Sequence, residues 1–329
     1  MILRTLLAAL ALFCAASPAT AAAADPAAHF RRGVNIIGYD PFWQAGGTPR
    51  FEKRHFAEIR RAGFDHVRVN LQAFRHMDAA GRLEPQWLNK LDWVVREAQR
   101  AGLSVILDEH DFNVCSDDVV RCRDKLAAFW SQVAPRYRKA PASVAFEILN
   151  EPHGKLDAAA WNALLADMLK LIRATNPTRT VVVGPTSWNS LRELPSLRLP
   201  ENDRHLLVTF HYYEPFRFTH QGASWTDLKG LSGVAWGSAE DRAALAADFQ
   251  KVADWAAANR RPILLGEFGA YDKSGTPTGM RVAYTAAAAR EAERRGFGWA
   301  YWQFDGDFIL WDMKANGWNR PILEALIRR

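Results

Sequence analysis

The chain has 329 residues, 49% of them hydrophobic, enough for one large domain with a sizeable core or for two small ones. Its formal charge of +6 is scattered, with no long Lys/Arg run, which argues against a nucleic-acid footprint and for a solvated surface. Thirteen Trp and 12% aromatic residues fit either a large aromatic core or a surface that stacks on flat apolar faces.

Residues 1–24 read as an export signal. Arg4 supplies a short positive start, Leu6 to Ala16 an apolar core too short to span a bilayer, and Ala19-Thr20-Ala21 a small-residue cleavage site. A lipoprotein signal would use Cys14, but Phe13 before it fits poorly. The mature chain, 25–329, then keeps Cys115 and Cys122. Export places them in an oxidising compartment, where a short-loop disulfide is expected and two free thiols are the alternative. Cys-x6-Cys without nearby His is poor zinc spacing. The protein is expected to be secreted or periplasmic, free of the membrane after cleavage, and monomeric.

From Gly33 on, strand and helix patterns alternate. Gly33 to Ile37 reads as a first strand, and Phe51 to Ala62 as a helix stopped by Gly63. Phe64 to Asn70 is a second strand. Pro85 to Ala101 is a helix, with Trp87, Leu88, Leu91, Val94, Val95 and Ala98 at helical spacing. Leu103 to Leu107 is a third strand, running into Asp108-Glu109-His110-Asp111, and a helix follows near 121–138. Ala142 to Asn150 is a fourth strand, Leu156 to Ala174 a helix, and Thr180 to Gly184 and Leu206 to His211 the fifth and sixth strands. Ala239 to Asn259 is a long helix, Pro262 to Glu267 a seventh strand, and 278–295 another helix. Gly296 to Trp302 starts the eighth strand, and Pro321 to Ile327 is a closing helix. The strands are short apolar runs, not alternating, as buried parallel strands are. Eight βα units in one unbroken stretch predict a single (β/α)8 barrel. A doubly wound sheet would favour G-x-G-x-x-G after the first strand, and none occurs there.

Two strands end alike. Phe146-Glu147-Ile148-Leu149-Asn150-Glu151 is stopped by Pro152, and Ile263-Leu264-Leu265-Gly266-Glu267 is followed by Phe268-Gly269. Two carboxylates at the ends of two buried strands point to a two-carboxylate enzyme, with glycoside hydrolysis as the leading chemistry. Active sites of such barrels lie at the strands' C-terminal ends. Those ends carry Asn35, Arg68, His110, Asn150, Glu151, Trp188, His211, Tyr213, Glu267 and Trp302. A metal at Asp108, Glu109, His110 and Asp111 is disfavoured, because adjacent strand residues point to opposite faces. No metal or organic cofactor is required.

This constellation resembles glycoside hydrolase family 5, the cellulase-type enzymes among the (β/α)8 retaining glycosidases. That family is marked by an Arg on strand two, a His after strand three, Asn-Glu on strand four, His-x-Tyr on strand six, Glu on strand seven and Trp on strand eight. Arg68, His110, Asn150, Glu151, His211, Tyr213, Glu267 and Trp302 match in that order. The resemblance implies that Glu151 is the acid/base and Glu267 the nucleophile. Arg68 and Tyr213 would hydrogen-bond Glu267, and burial together with the Glu267 charge would keep Glu151 protonated. Asn150 would donate to the sugar 2-hydroxyl, His110 and His211 would bind the sugar and the acid/base, and Trp302 would floor the cleaved sugar.

Loop aromatics hint at the substrate. Phe42-Trp43, Trp188, Phe216 to Trp225 and Trp311 would line a long open cleft, suited to internal cutting of a polymer. Thr219-His220-Gln221-Gly222-Ala223 resembles loops of bacterial endoglucanases of the family, which implies β-1,4-glucan; mannan, xyloglucan and other β-glucans are the alternatives. A non-catalytic sugar-binding barrel would be expected to lack one glutamate. A phosphate-binding barrel enzyme would carry Gly-rich loops after strands seven and eight.

Overall fold

The computed structural model describes residues 25–273 and 275–327. The expected signal segment, residues 1–24 with Cys14, lies outside the described residues. Eight parallel strands close into one barrel in sequence order. They are β1 (Arg32–Ile36), β2 (His66–Leu71), β3 (Ser104–Glu109), β4 (Val144–Glu147), β5 (Val181–Val183), β6 (Leu206–Tyr212), β7 (Ile263–Phe268) and β8 (Gly298–Tyr301). Closure is made by β8 pairing with β1, Arg32 opposite Trp299.

The intervening helices cover the strands because one stripe of each is apolar. In α1 (Lys53–Ala62), Phe56 and Ile59 are buried, and Gly63 at φ 108° ends the helix in the left-handed region. In α2 (Pro85–Arg100), Trp87, Leu91, Val94, Val95 and Ala98 are buried at the expected helical spacing, with Pro85 starting the first turn. Each such large apolar side chain contributes about 1.5–3 kcal/mol. The outer ring continues with α3 (Val119–Arg136), α4 (Ala158–Arg173), α5 (Ala239–Asn259), α6 (Thr278–Arg294) and α7 (Arg320–Ile327). Asp118, Asp157 and Ser238 cap α3, α4 and α5 by accepting from main-chain N–H groups. Among the described residues, no helix is long and apolar enough to cross a membrane.

Strand parity sorts the barrel interior into two storeys. Ile106, Ala145, Val182, Leu207 and Leu264 form a separate apolar cluster with Ala27 and Phe30. Two residues further along the same strands stand Asp108, Glu147 and Thr209, polar and fully or almost fully buried. Side chains two apart share a face, so the barrel is greasy at the bottom and polar toward its C-terminal mouth.

Three details depart from the sequence expectations. A short helix, Phe112–Asp117, precedes α3; the expected disulfide joins Cys115 on it to Cys122 on α3. No long helix follows β5; its place is taken by a turn at Thr186–Asn189 and a 3-10 segment, Leu191–Ser196. After β8 a two-residue hairpin pairs Trp311–Asp312 with Gly317–Trp318. Closing a loop this short with a disulfide removes about 2–3 kcal/mol of unfolded-chain entropy. Cys115→Ser combined with Cys122→Ser is therefore expected to cost about 2 kcal/mol in urea unfolding, and an unchanged midpoint would refute it.

Candidate active site

Arg68 on β2 organises the floor of the mouth. It is fully buried, and all five of its N–H donors are used. Nε and Nη2 grip both oxygens of Glu147 at 2.7 and 2.8 Å. Nη2 also donates to Asn150 Oδ1 and Nη1 to Asn35 Oδ1, both at 2.8 Å. Nη1 reaches Glu267 Oε1 at 2.8 Å. Burial opposes the guanidinium charge, but Asp108, Glu147 and Glu267 outweigh it and raise its pKa further.

Glu267, at the end of β7, is held on both oxygens, since the Tyr213 hydroxyl donates to Oε2 at 3.0 Å. The β6–β7 ladder slips at this point: Phe210 pairs with Leu265, but His211 pairs with Glu267. The skipped residue is Gly266, whose added Cβ would stand 2.5 Å from Thr209 Oγ1. The irregularity re-aims His211 and Glu267 into the same space.

Glu151 lies just past β4, where Pro152 follows. Asn150 N still donates to Glu109 O at 2.8 Å, and the chain then turns at Glu151, φ 42°, a left-handed conformation that is costly for a non-glycine residue. His211 Nδ1 lies 2.7 Å from Glu151 Oε1 and 3.6 Å from Glu267 Oε2. The three groups bring one atom each within 4.8 Å of one another. Burial raises the Glu151 pKa to about 7, against the nearby positive charges of His110 and Arg68. Burial lowers that of His211 to about 3, so its ring is neutral. The Glu267 charge, expected from the sequence to help keep Glu151 protonated, is not what carries the shift; burial is.

His110 Nδ1 lies 2.6 Å from Asp108 Oδ2, and its ring stacks on Trp302 at 5.7 Å and 6°. Burial alone would lower the His110 pKa, but Asp108 reverses the direction and raises it. Asp108 faces Arg68 and His110, whereas Glu109 points away and accepts from Asp111 N, so these acids do not converge.

Above this floor opens a cleft of about 1000 Å³ lined by both glutamates, His110, His211, Tyr213, Trp188 and Trp302. A model of the cellulase family, glycosyl hydrolase family 5, matches residues 28–307. The chain belongs to that family. Endoglucanase Cel5A of the hyperthermophilic Thermotoga maritima superposes with a TM-score of 0.87 at 35% identity, covering 92% of this chain and all of that one. The Clostridioides difficile cellulose synthase subunit Z superposes with a TM-score of 0.85 at 33% identity, over 91% of this chain and all of that one. Endoglucanase H of Acetivibrio thermocellus is 28% identical over 280 residues, 83% of this chain. The chain spans about a third of the length of the curated relatives it matches first, 30% of that endoglucanase and 38% of the cellulase/esterase CelE.

Five residues expected at the mouth of this family-5 barrel or along its cleft lie buried beneath it or in the core. Trp43 is core: its Nε1 donates to Ile37 O and its ring packs on Phe42 and Trp87. Asn35 is fully buried, its amide donating to the Gly266, Ala300 and Tyr301 carbonyls. Arg68 is beneath the carboxylates, and Asn150 is also buried, between Arg68 and His110. Trp311 likewise stacks on Phe304 in the core. Each is a strand-end or loop residue whose direction only the packed barrel decides.

Sequence reasoning missed Tyr39 and His153. Tyr39 lines the cleft, exposed, edge-on to Trp302 at 6.3 Å. His153 stacks on Trp188 at 4.5 Å and 18°, with Nδ1 2.8 Å from Glu151 O. The only available signal was proximity in sequence to Asn35 and Glu151.

Proposed function

We propose that the protein is an exported, retaining endo-β-1,4-glucanase. The observation that carries this is the separation of the two glutamates. An oxygen of Glu151 and one of Glu267 lie within 4.8 Å. Retaining glycosidases hold their carboxyls about 5–5.5 Å apart, whereas inverting ones need about 6.5–9.5 Å to admit a water.

Glu267 attacks the anomeric carbon while Glu151 delivers its proton to the leaving oxygen. As that proton leaves, Glu151 becomes the base that activates water against the glycosyl-enzyme. Trp302 lines the cleft and is placed to floor the sugar whose bond is cut. The leaving sugar stands on the Glu151 side, against Trp188 and His153. Mannan is the second reading, supported by the Thermotoga relative studied with mannotriose, 35% identical to this chain. Residues 1–24 support export to the periplasm or the medium.

The test is reducing-sugar release from soluble glucan, xyloglucan, mannan and xylan, with NMR of the first anomer formed. A β anomer from β-1,4-glucan is expected. An α anomer would refute the mechanism, and activity on mannan alone would move the substrate.

Two further outcomes follow. Glu151 must start protonated, and its pKa is raised to about 7. The rate kcat/KM should therefore fall as pH rises through about 7. In Glu151→Gln, residual activity on an aryl glycoside that leaves without protonation should lose this alkaline limb. A limb unchanged in the variant would assign it elsewhere. Trp188 is exposed in the cleft, and Trp188→Ala should raise KM for cello-oligosaccharides about 2- to 10-fold with kcat little changed, as for one aromatic contact. A KM that stays put would remove Trp188 from the binding surface.

A further inference from the structure

Asn189 is fully buried and sits behind His211, the ring that contacts Glu151. It belongs to a turn in which three consecutive residues take left-handed dihedrals: Ser187 at φ 55°, Trp188 at 59° and Asn189 at 54°. Non-glycine residues hold such conformations only where the surroundings impose them. Here the turn is fixed from two sides. Trp188 N donates to Pro152 O, next to Glu151, and Ser190 bridges β6 at His211. Trp188 is thereby presented to the cleft and Asn189 to the barrel. The Asn189 amide fills the space over Gly184, where an added Cβ would come within 2.1 Å of its Oδ1, so only glycine admits it.

The Asn189 Nδ2 lies 3.2 Å from His211 Nε2. An amide NH2 is a donor, so the imidazole nitrogen facing it must offer a lone pair. The ring proton then sits on Nδ1, directed at Glu151 Oε1 at 2.7 Å. An oxygen already accepting that bond is the one that does not carry the acid proton. The catalytic proton is left on the other oxygen, Oε2.

We propose that Asn189 is a positioning residue: through His211 it selects which oxygen of Glu151 holds the proton delivered to the leaving group. This rests on the reading of Glu151 as the acid/base. Reversing the Asn189 amide would place Oδ1 against Nε2, move the ring proton to Nε2, and turn the Nδ1 lone pair toward Glu151. The acid proton would then be drawn into the protein on Oε1. Neutral His211 suits this role. The charged and titratable groups around it are Glu151, Glu267, Arg68, Asp108 and His110; His153 adds its field at Glu151.

The experiment has two parts. Nitrogen-15 NMR of the wild-type histidines, with His211 assigned by the loss of its signals in His211→Gln, should show a neutral ring protonated on Nδ1 at pH 7. A ring protonated on Nε2, or an imidazolium, overturns the proposal without any reference to activity. Asn189→Asp then supplies an acceptor of nearly the same shape, which draws a proton to Nε2 and makes His211 cationic. A cation beside Glu151 favours its carboxylate, so the alkaline limb of kcat/KM should move down by about one pH unit. Asn189→Ala should lower kcat roughly tenfold with KM little changed, as for the loss of one orienting hydrogen bond. An unmoved limb in Asn189→Asp with wild-type kcat overturns the proposal while leaving the glycosidase reading standing. A wild-type protein inactive on every glucan and mannan defeats that reading instead, and the NMR result still decides the tautomer.

Discussion

Glu267→Ala is expected to abolish polysaccharide cleavage, a loss on the order of 10⁵–10⁶-fold, as when the attacking group of a covalent catalyst is deleted. The reason is geometric as well as chemical. Arg68 Nη1 and the Tyr213 hydroxyl aim at the two oxygens of Glu267. Truncation leaves both donors in place and opens a small anion-sized space. Azide or formate bound there would attack an activated aryl glycoside from the same face as the carboxylate did. Only one displacement then occurs, and the product should be inverted at the anomeric carbon. Rescue with retained configuration, or wild-type turnover without rescue, would take the nucleophile's role from Glu267.

Arg68→Met is expected to give the largest loss of stability, about 3–5 kcal/mol, the range for removing one member of a buried ion network. A single guanidinium faces Asp108 at 3.1 Å, Glu147 at 2.7 Å and Glu267 at 2.8 Å. Methionine fills the volume but leaves Asp108 and Glu147 as buried carboxylates with no cation to share except protonated His110. Arg68→Lys keeps the charge but cannot grip both Glu147 oxygens, Asn35, Asn150 and Glu267 at once, since its donors radiate from one point. It should recover part of the stability and little of the activity. Urea unfolding of both variants tests this. A loss below about 1 kcal/mol for Arg68→Met would mean that the acids below the cleft are neutral instead of paired.

These two residues also show how differently the parts of the site could be read from sequence. Glu267 and Glu151 were legible because each ends a short apolar run and a chain-breaking residue follows within two positions, Pro152 directly after Glu151 and Gly269 after Phe268. A carboxylate at the end of a core strand has few structural uses. Glu147 was not legible, although it lies four residues from Glu151. Inside a strand, parity decides whether a glutamate faces a helix or the barrel axis, and the stretch around it is apolar on both sides. Arg68 was recognised as part of the site and as a partner of Glu267, but not as the floor that also holds Glu147, Asn35 and Asn150, because strand position does not reveal depth below the mouth.

The aromatic loops divide the same way. Trp188, Phe216 and Trp225 face solvent and line the cleft, while Trp43 and Trp311 are packed in the core. All five lie in polar, Gly/Pro-containing loops, and nothing local separates them. Tyr39 reaches the cleft only because Asp40, by accepting from the N–H groups of Phe42, Arg50 and Phe51, ties the loop back on itself.

By itself the sequence determined the period of the elements, hence eight buried strands and their helices, and the identity of the two carboxylates. Those follow from side-chain periodicity and chain-breaking residues, which act over a few positions. What only the tertiary structure decided is distance and direction: the carboxylate oxygens brought within 4.8 Å, the burial that raises Glu151, the five-way use of Arg68, and the turn that sets Asn189 behind His211. Each of these joins residues dozens to about two hundred positions apart, and barrel closure, with its register and its slip at Gly266, is the step that brings them within a hydrogen bond of one another.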